Sequence, residues 1–262
     1  MIAVYLSPLY GVVNVYILYW IIHWLSACHG IFRKRLLRVA VCFLYAVVAL
    51  SLLVGFFGLP GEAKRTVKLL GNYWLGILEY TVIIVGIACL IRRILLVWDK
   101  VDSAQLGRRR VRILSGALCF CLIVGFASYG AVHARHIYRT PYEITVRKSA
   151  GALEKLKIVL VSDIHMGYNI GVDHVRKMVT MINKENADLV VIAGDIFDNE
   201  YEALEDEEKL IGLFRSIESR YGVYACYGNH DINEKILAGF TFGGGSKKVS
   251  DPRMDTFLER AG

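Results

Sequence analysis

No lysine or arginine precedes Arg33 in this 262-residue chain. A cleavable signal peptide needs a basic start, a short apolar core and a small-residue cleavage site, so the apolar beginning of the chain reads as a retained segment. Cysteine is sparse and unpatterned. Cys28, Cys42, Cys89, Cys119 and Cys121 lie in or beside apolar stretches and Cys226 lies in a short apolar run. None has the spacing of a metal or redox motif, so all six read as packing residues. This usage neither supports nor excludes export. No internal repeat or low-complexity tract stands out. Long apolar runs are also missing from about Lys155 onward, where short apolar runs alternate with charged amphipathic stretches as in an α/β domain.

The first half is the reverse. The chain is 55% hydrophobic with a mean hydropathy of +0.43, too apolar for an ordinary soluble domain. The excess sits in four stretches, about 4–28, 36–59, 73–91 and 113–132, each near the roughly 20 residues that a bilayer-spanning helix requires. They predict a membrane α-helical bundle of four transmembrane helices over residues 1–134, a multi-pass anchor in the cell membrane.

The net charge of +7 could point to nucleic acid, but the basic residues flank the apolar stretches. Arg33, Lys34, Arg35 and Arg38 fill the first gap, and Arg92, Arg93, Lys100, Arg108, Arg109, Arg110 and Arg112 the third. This pattern carries topology rather than the footprint of a nucleic-acid-binding module. The second gap carries Lys64, Arg65 and Lys68, so the bias places the first and third gaps in the cytoplasm and both termini outside. Residues 156–262 are then expected on the extracytoplasmic side; Arg135, Arg139, Arg147 and Lys148 after the fourth stretch pull the other way.

Residues 135–155 read as a linker with an edge strand, because Tyr142, Ile144 and Val146 alternate in "YEITV". Beyond it, Ile158 to Val161 is too short for a helix and rich in branched residues, so it reads as a buried strand ending at Ser162 and Asp163. Val172, Val175, Val179 and Ile182 recur at helical spacing, with Asp173 near the start. Leu189 to Ile192 repeats the strand pattern, "LEDEEKLIGLFRSIES" supplies a second amphipathic helix, and "GVYACYGNHD" a third strand with its exit loop. Three strand-and-loop units separated by helices predict a layered α/β domain with polar residues at the carboxyl ends of neighbouring strands.

Each strand exit carries metal-ligand types: Asp163 and His165 after the first, Asp195 and Asp198 after the second, and Asn229, His230 and Asp231 after the third. Carboxylates and imidazoles meeting at one sheet edge suit two divalent cations. Each motif alone reads as a turn or a helix cap. In this order, each after a buried strand, they make a constellation. Gly194 and Gly228 fit it, since a Cβ beside the metals would crowd the turn.

The series "SDIH", "GDIFDN" and "GNHD" resembles the first three motifs of the calcineurin-like metallophosphoesterases, over about residues 156–262. Several apolar stretches followed by "KIVLVSDIHMG" further resemble the membrane-anchored bacterial branch of that superfamily. The resemblance implies a partial αββα sandwich, its N-terminal half, and two divalent metal ions, with Mn, Fe or Zn all admitted by the donors. It also implies that Asp163 and His165 bind the first metal, Asp195 bridges both, and Asn229 binds the second. His230 would donate a proton or hydrogen bond to the leaving oxygen, Asp231 would hold its imidazole, and Asp198 would steady the site without ligating. The implied activity is a metal-dependent phosphohydrolase acting on phosphoester bonds. Tethering beside a bilayer suggests lipid or cell-envelope substrates.

The family completes its site with three further histidines, and no histidine follows His230 here. The chain therefore reads as C-terminally incomplete and, by itself, inactive and weak in metal binding. The alternative is a non-catalytic membrane protein with a degenerate phosphoesterase-like binding domain. His23, His29, His133, His136 and His174 read as interface or solvated residues.

Other features have plainer readings. "GGGSKK" at 243–248 lacks the glycine that a phosphate loop needs before Lys247 and reads as a flexible loop. The acidic run from Glu200 to Glu208 reads as a solvated loop and helix start. Glu79 is an ionisable group within the third stretch, where it is costly unless near the outer interface. Tyr16, Tyr19, Trp20 and Trp24 suit interfacial anchoring or helix packing.

Overall fold

A computed structural model of the protein describes residues 2–98, 101–198, 200–232, 236–237, 240–241 and 250–262. The chain divides into two compact units, Met1–Ala134 and Arg135–Gly262.

The first unit is helical: α1 (Ile2–Cys28), α2 (Arg35–Val54), α3 (Gly61–Val97), the single turn α4 (Ser103–Leu106) and α5 (Arg109–His133). Of these, α1, α2, α3 and α5 are long and apolar enough to cross a membrane. Two boundaries differ from the apolar stretches. α2 ends at Val54 although the apolar run continues to Leu59, because Gly55, Gly58 and Pro60 follow and favour a turn. α3 has 37 residues, longer than its apolar stretch, because Lys64, Arg65, Lys68, Arg92 and Arg93 are good helix formers and extend it at both ends. At 1.5 Å per residue it is about 55 Å long, against a hydrocarbon core of about 30 Å. Glu79 lies roughly midway between Lys68 and Arg92 and is exposed, so it is not at the end of the span where the sequence reading would hydrate it.

Small residues and polar bonds join these helices. A Cβ on Gly71 would come within 2.9 Å of Leu52 Cα, so the glycine allows α3 to approach the α2 backbone. Trp24 fills the space beside Gly116, stacks on Phe120 and donates from its indole to the Ile113 carbonyl at 3.3 Å. It therefore serves helix packing. Across α1, α2 and α3, Tyr45 donates to Asn14 Oδ1 (3.0 Å), Tyr10 to the Ala49 carbonyl (2.6 Å) and Trp74 to Tyr10 Oη (2.9 Å). Asn14 is buried among them and also donates to the Tyr10 carbonyl.

The second unit is α/β. Strands β1 (Ile158–Val161), β2 (Leu189–Ala193) and β3 (Val223–Cys226) form a parallel sheet in that order, with Val159 opposite Val190 and Ile192 opposite Ala225. α6 (Val172–Lys184) links β1 to β2, α7 (Glu207–Arg215) links β2 to β3, and α8 (Pro252–Ala261) packs beside α7. Two short antiparallel strands, β4 (Ile236–Leu237) and β5 (Phe240–Thr241), lie between β3 and α8.

The helices bury one face of the sheet. Val175, Val179 and Ile182 of α6 meet Val190 and Ile192 of β2, Leu210 and Phe214 of α7, and Phe257 of α8 in one core. The opposite face leaves Ile158, Leu160 and Tyr224 exposed. Fold class is thus as expected, four apolar helices followed by an α/β region.

The edge strand expected in 135–155 is absent: residues 135–157 form no strand, and Tyr142, Ile144 and Val146 are exposed. Alternation makes a strand only where a neighbouring edge accepts its hydrogen bonds, and none of the described strands pairs with it. The acidic run is wired into the framework. Glu205 accepts from Val172 N–H at the start of α6 (2.9 Å), Asp206 caps α7, and Glu202 and Glu208 pair with Arg253 (2.7 Å) and Arg260 (2.6 Å) of α8. The glycine-rich stretch at 243–248 lies outside the described residues.

Candidate metal centre

The carboxyl ends of β1, β2 and β3 lie side by side because the strands are parallel and consecutive, so their exit loops meet. The first two loops continue the pairing irregularly: Asp163 N–H donates to the Gly194 carbonyl (3.2 Å), His165 N–H to Asp195 (2.9 Å) and Met166 N–H to Ile196 (2.9 Å). The cost shows in the backbone. Among the described residues, four non-glycine residues have positive φ: Asp163 (55°), His165 (51°), Asn186 and Asp195 (50°). Three of them are candidate ligands at the sheet edge. Asp, Asn and His tolerate this region better than most residues, yet it costs about 1 kcal/mol or more for each, and such strain persists where the surroundings over-determine it.

Glycines allow the second and third loops to touch. Gly194 has φ +79°, and a Cβ there would sit 2.8 Å from Gly228 Cα. A Cβ on Gly228 would overlap the Asp195 carboxylate. That carboxylate accepts the His230 N–H at 2.8 Å, which fixes Asp195 against the third loop.

Two overlapping groups of donors result. Donor atoms of Asp163, His165 and Asp195 lie within 4.8 Å of one another, and so do those of His165, Asp198 and His230. The imidazoles of His165 and His230 meet edge to face, 4.5 Å between centroids. Asp198 Oδ1 stands 3.9 Å from His165 Nδ1 and 3.8 Å from His230 Nδ1, within range for charge interaction and too long for a hydrogen bond. Asn229 is exposed between Gly228 and His230. Carboxylate and imidazole donors at this separation fit a divalent first-row cation.

Asp231 departs from the expected role. Its side chain is 1% exposed, and its carboxylate accepts three main-chain N–H groups: Phe197 (2.8 Å), Gly228 (2.9 Å) and Ile196 (3.2 Å). It ties the second loop to the third rather than holding the imidazole of its neighbour. The carboxylate facing that imidazole is Asp198. No signal in the sequence separates the two aspartates, since both follow a strand by a few residues.

The match to known families agrees with this geometry. The family model of the calcineurin-like phosphoesterases matches residues 156–258. This part of the chain is a calcineurin-like phosphoesterase domain. A zebrafish protein named as a transmembrane protein with a metallophosphoesterase domain is 29% identical over 208 residues, 79% of this chain and 47% of that protein. An uncharacterised metallophosphoesterase of Campylobacter jejuni is 30% identical over 54% of this chain and 40% of its own length. A cattle transmembrane protein with a metallophosphoesterase domain is 37% identical over 35% of this chain and 20% of its own. The chain spans less than half the length of each of these relatives. No solved structure matches it significantly. Four membrane-length helices and transmembrane relatives together make this a membrane protein.

Proposed function

We propose that this protein is a membrane-anchored phosphoesterase whose α/β unit hydrolyses phosphoester bonds with the help of two divalent cations. The observation that carries the reading is the convergence of Asp163, His165 and Asp195, each held at positive φ, with donor atoms within 4.8 Å. These three residues would hold one cation; Asp195 and Asn229 would contribute to a second. Bound there, the cations would neutralise phosphate oxygens and acidify a water.

The remaining chemistry belongs to the chain. The His230 imidazole, on the edge of the group and facing Asp198, donates a proton or hydrogen bond to the leaving oxygen. Asp198 faces that ring at 3.8 Å without a hydrogen bond, and Asp231 keeps the loop under it in place through its three N–H bonds. Manganese, iron and zinc all suit the donors. Tethering to the bilayer favours phosphoesters of lipids or envelope molecules. The basic gaps, Arg33 to Arg38 and Arg92 to Arg112, favour a cytoplasmic position for that end of the helices and an extracytoplasmic α/β unit in the cell membrane.

The test has two stages. In the purified chain, Mn²⁺ binding is measured by calorimetry. It should fall at least tenfold in Asp163→Asn or Asp195→Asn with helical content unchanged. Binding unaffected by either substitution would refute the metal centre. A protein of the relatives' length that binds two cations but hydrolyses neither lipid nor soluble phosphoesters would instead establish a non-catalytic binding domain. Sidedness is read by labelling Glu218→Cys in a Cys226→Ser background, where labelling only from the cytoplasm would reverse the orientation.

A further inference from the structure

α3 carries two stripes of the same period. Gly71, Trp74, Leu78, Thr81 and Val85 recur at alternating steps of three and four residues, the roughly 3.5-residue repeat of a seam between packed helices. This stripe is covered within the chain. Gly71, Leu78, Thr81 and Val85 are buried, the Leu52 backbone of α2 lies against Gly71, and Trp74 meets Tyr10 of α1 and Tyr45 of α2. On the outward side of the same helix, Asn72, Gly76, Glu79, Ile83, Gly86 and Leu90 repeat the pattern. None of these six is buried, and a Cβ on Gly76 or Gly86 would meet nothing within 4 Å. A glycine inside a helix is destabilising, and no described residue of this chain uses the room that these two leave.

Glu79 stands at the centre of the outer stripe. At 1.5 Å per residue it lies about 16 Å along α3 from Lys68 and about 20 Å from Arg92, which is the depth of the hydrocarbon. An ionisable group there is costly unless it faces a bundle interior, a hydrated cavity or a partner. Among the described residues no side chain pairs with Glu79, or with Asn72 two turns away. We propose that the outer stripe of α3 is a dimer interface, occupied by α3 of a second copy of this chain. Both copies share one sidedness in the membrane, so the two helices run parallel and each position faces its own equivalent across a two-fold axis. The stripe is complementary to itself in that arrangement. The Asn72 amide and a protonated Glu79 carboxyl each carry both a donor and acceptors, so each can bond to its own copy. Gly76 and Gly86 let the backbones approach, as Gly71 does between α3 and α2. Acyl chains in the same place would leave the carboxyl and the amide without a bond. The proposal is independent of the phosphoesterase reading.

Förster transfer between donor- and acceptor-labelled copies of the full chain in phosphatidylcholine liposomes, followed over a range of protein-to-lipid ratios, tests it. The wild type should associate. Glu79→Ala should weaken association about threefold, the effect of one hydrogen bond between membrane helices, and Glu79→Gln, which keeps a donor and an acceptor, should retain it. Gly86→Leu, which holds the backbones apart and leaves every polar group, should weaken association roughly tenfold. Gly125→Leu, at an exposed position of α5 with equally open surroundings, should change nothing. A wild type that stays monomeric overturns the proposal, as does full association in Gly86→Leu. Equal losses in Gly86→Leu and Gly125→Leu also overturn it, since any bulky outward residue would then act alike. An equal loss in Glu79→Gln and Glu79→Ala removes the pairing on which it rests. Circular dichroism confirms that each variant keeps its helices, and Glu79→Ala decides the matter if Gly86→Leu does not fold.

Discussion

Both units bury apolar residues, the helical one through Ile17, Leu78 and Val85, but they differ in where polar groups are buried and in what faces outward. In the α/β unit the interior is apolar, Val175, Val190, Leu210 and Phe257 among others, and the buried polar groups Asp195 and Asp231 are confined to the loops at the metal centre. In the helical unit large apolar side chains such as Leu36, Phe43 and Leu114 face outward, while Asn14, Ser51 and Thr81 are buried. The difference is one of solvent. Water drives apolar groups inward in one unit, whereas in lipid there is no such drive between helices, and small residues and hydrogen bonds supply the contacts. A buried polar group should accordingly matter much more in the α/β unit than in the helical one.

Asp231→Ala tests the stronger side of this contrast. It strands the N–H groups of Ile196, Phe197 and Gly228, and should destabilise the α/β unit by about 4 kcal/mol while the membrane helices persist. Urea unfolding with hydrogen exchange on β2 and β3 measures it; wild-type protection would mean that water replaces the carboxylate. Gly228→Ala should cost about 2 kcal/mol and at least tenfold in Mn²⁺ affinity, because the added methyl displaces the Asp195 carboxylate. Intact affinity in calorimetry would show that the loop moves aside.

Asn14→Leu probes the weaker side. It removes the bond from Tyr45, yet the loss should be about 1 kcal/mol or less, read as thermal unfolding in detergent. A loss as large as that of Asp231→Ala would erase the contrast between the units. The smallest effect concerns acid. Burial first, then the charge of Lys177, lowers the His174 pKa below its ordinary value of 6.5. The folded state then binds fewer protons than the unfolded one, so stability is complete above that value and declines as pH falls through it toward the depressed one. His174→Gln should flatten this slope in thermal scans between pH 7 and 5; an unchanged slope would assign it to other groups.

Legibility in the sequence followed the same division. The apolar stretches located four helices, but not the length of α3, because hydropathy marks only the part suited to hydrocarbon while Lys64, Arg65 and Arg93 continue the helix outside it. In the α/β unit, periodicity located α6 through Val175, Val179 and Ile182, branched runs located β1 and β2, and β3 was legible as the short apolar run before its exit loop. It also suggested a strand at Tyr142, Ile144 and Val146, where alternation is present and a pairing edge is not.

Residue identity and order alone determined that metal-ligand types follow three successive strands and that the first half is apolar enough for a membrane, because both are one-dimensional patterns. Only the tertiary structure decided which aspartate does what. Asp198 faces the His165 and His230 rings and Asp231 turns inward to three main-chain N–H groups, because loop contacts between distant strands, set by Gly194 and Gly228, govern where each carboxylate points.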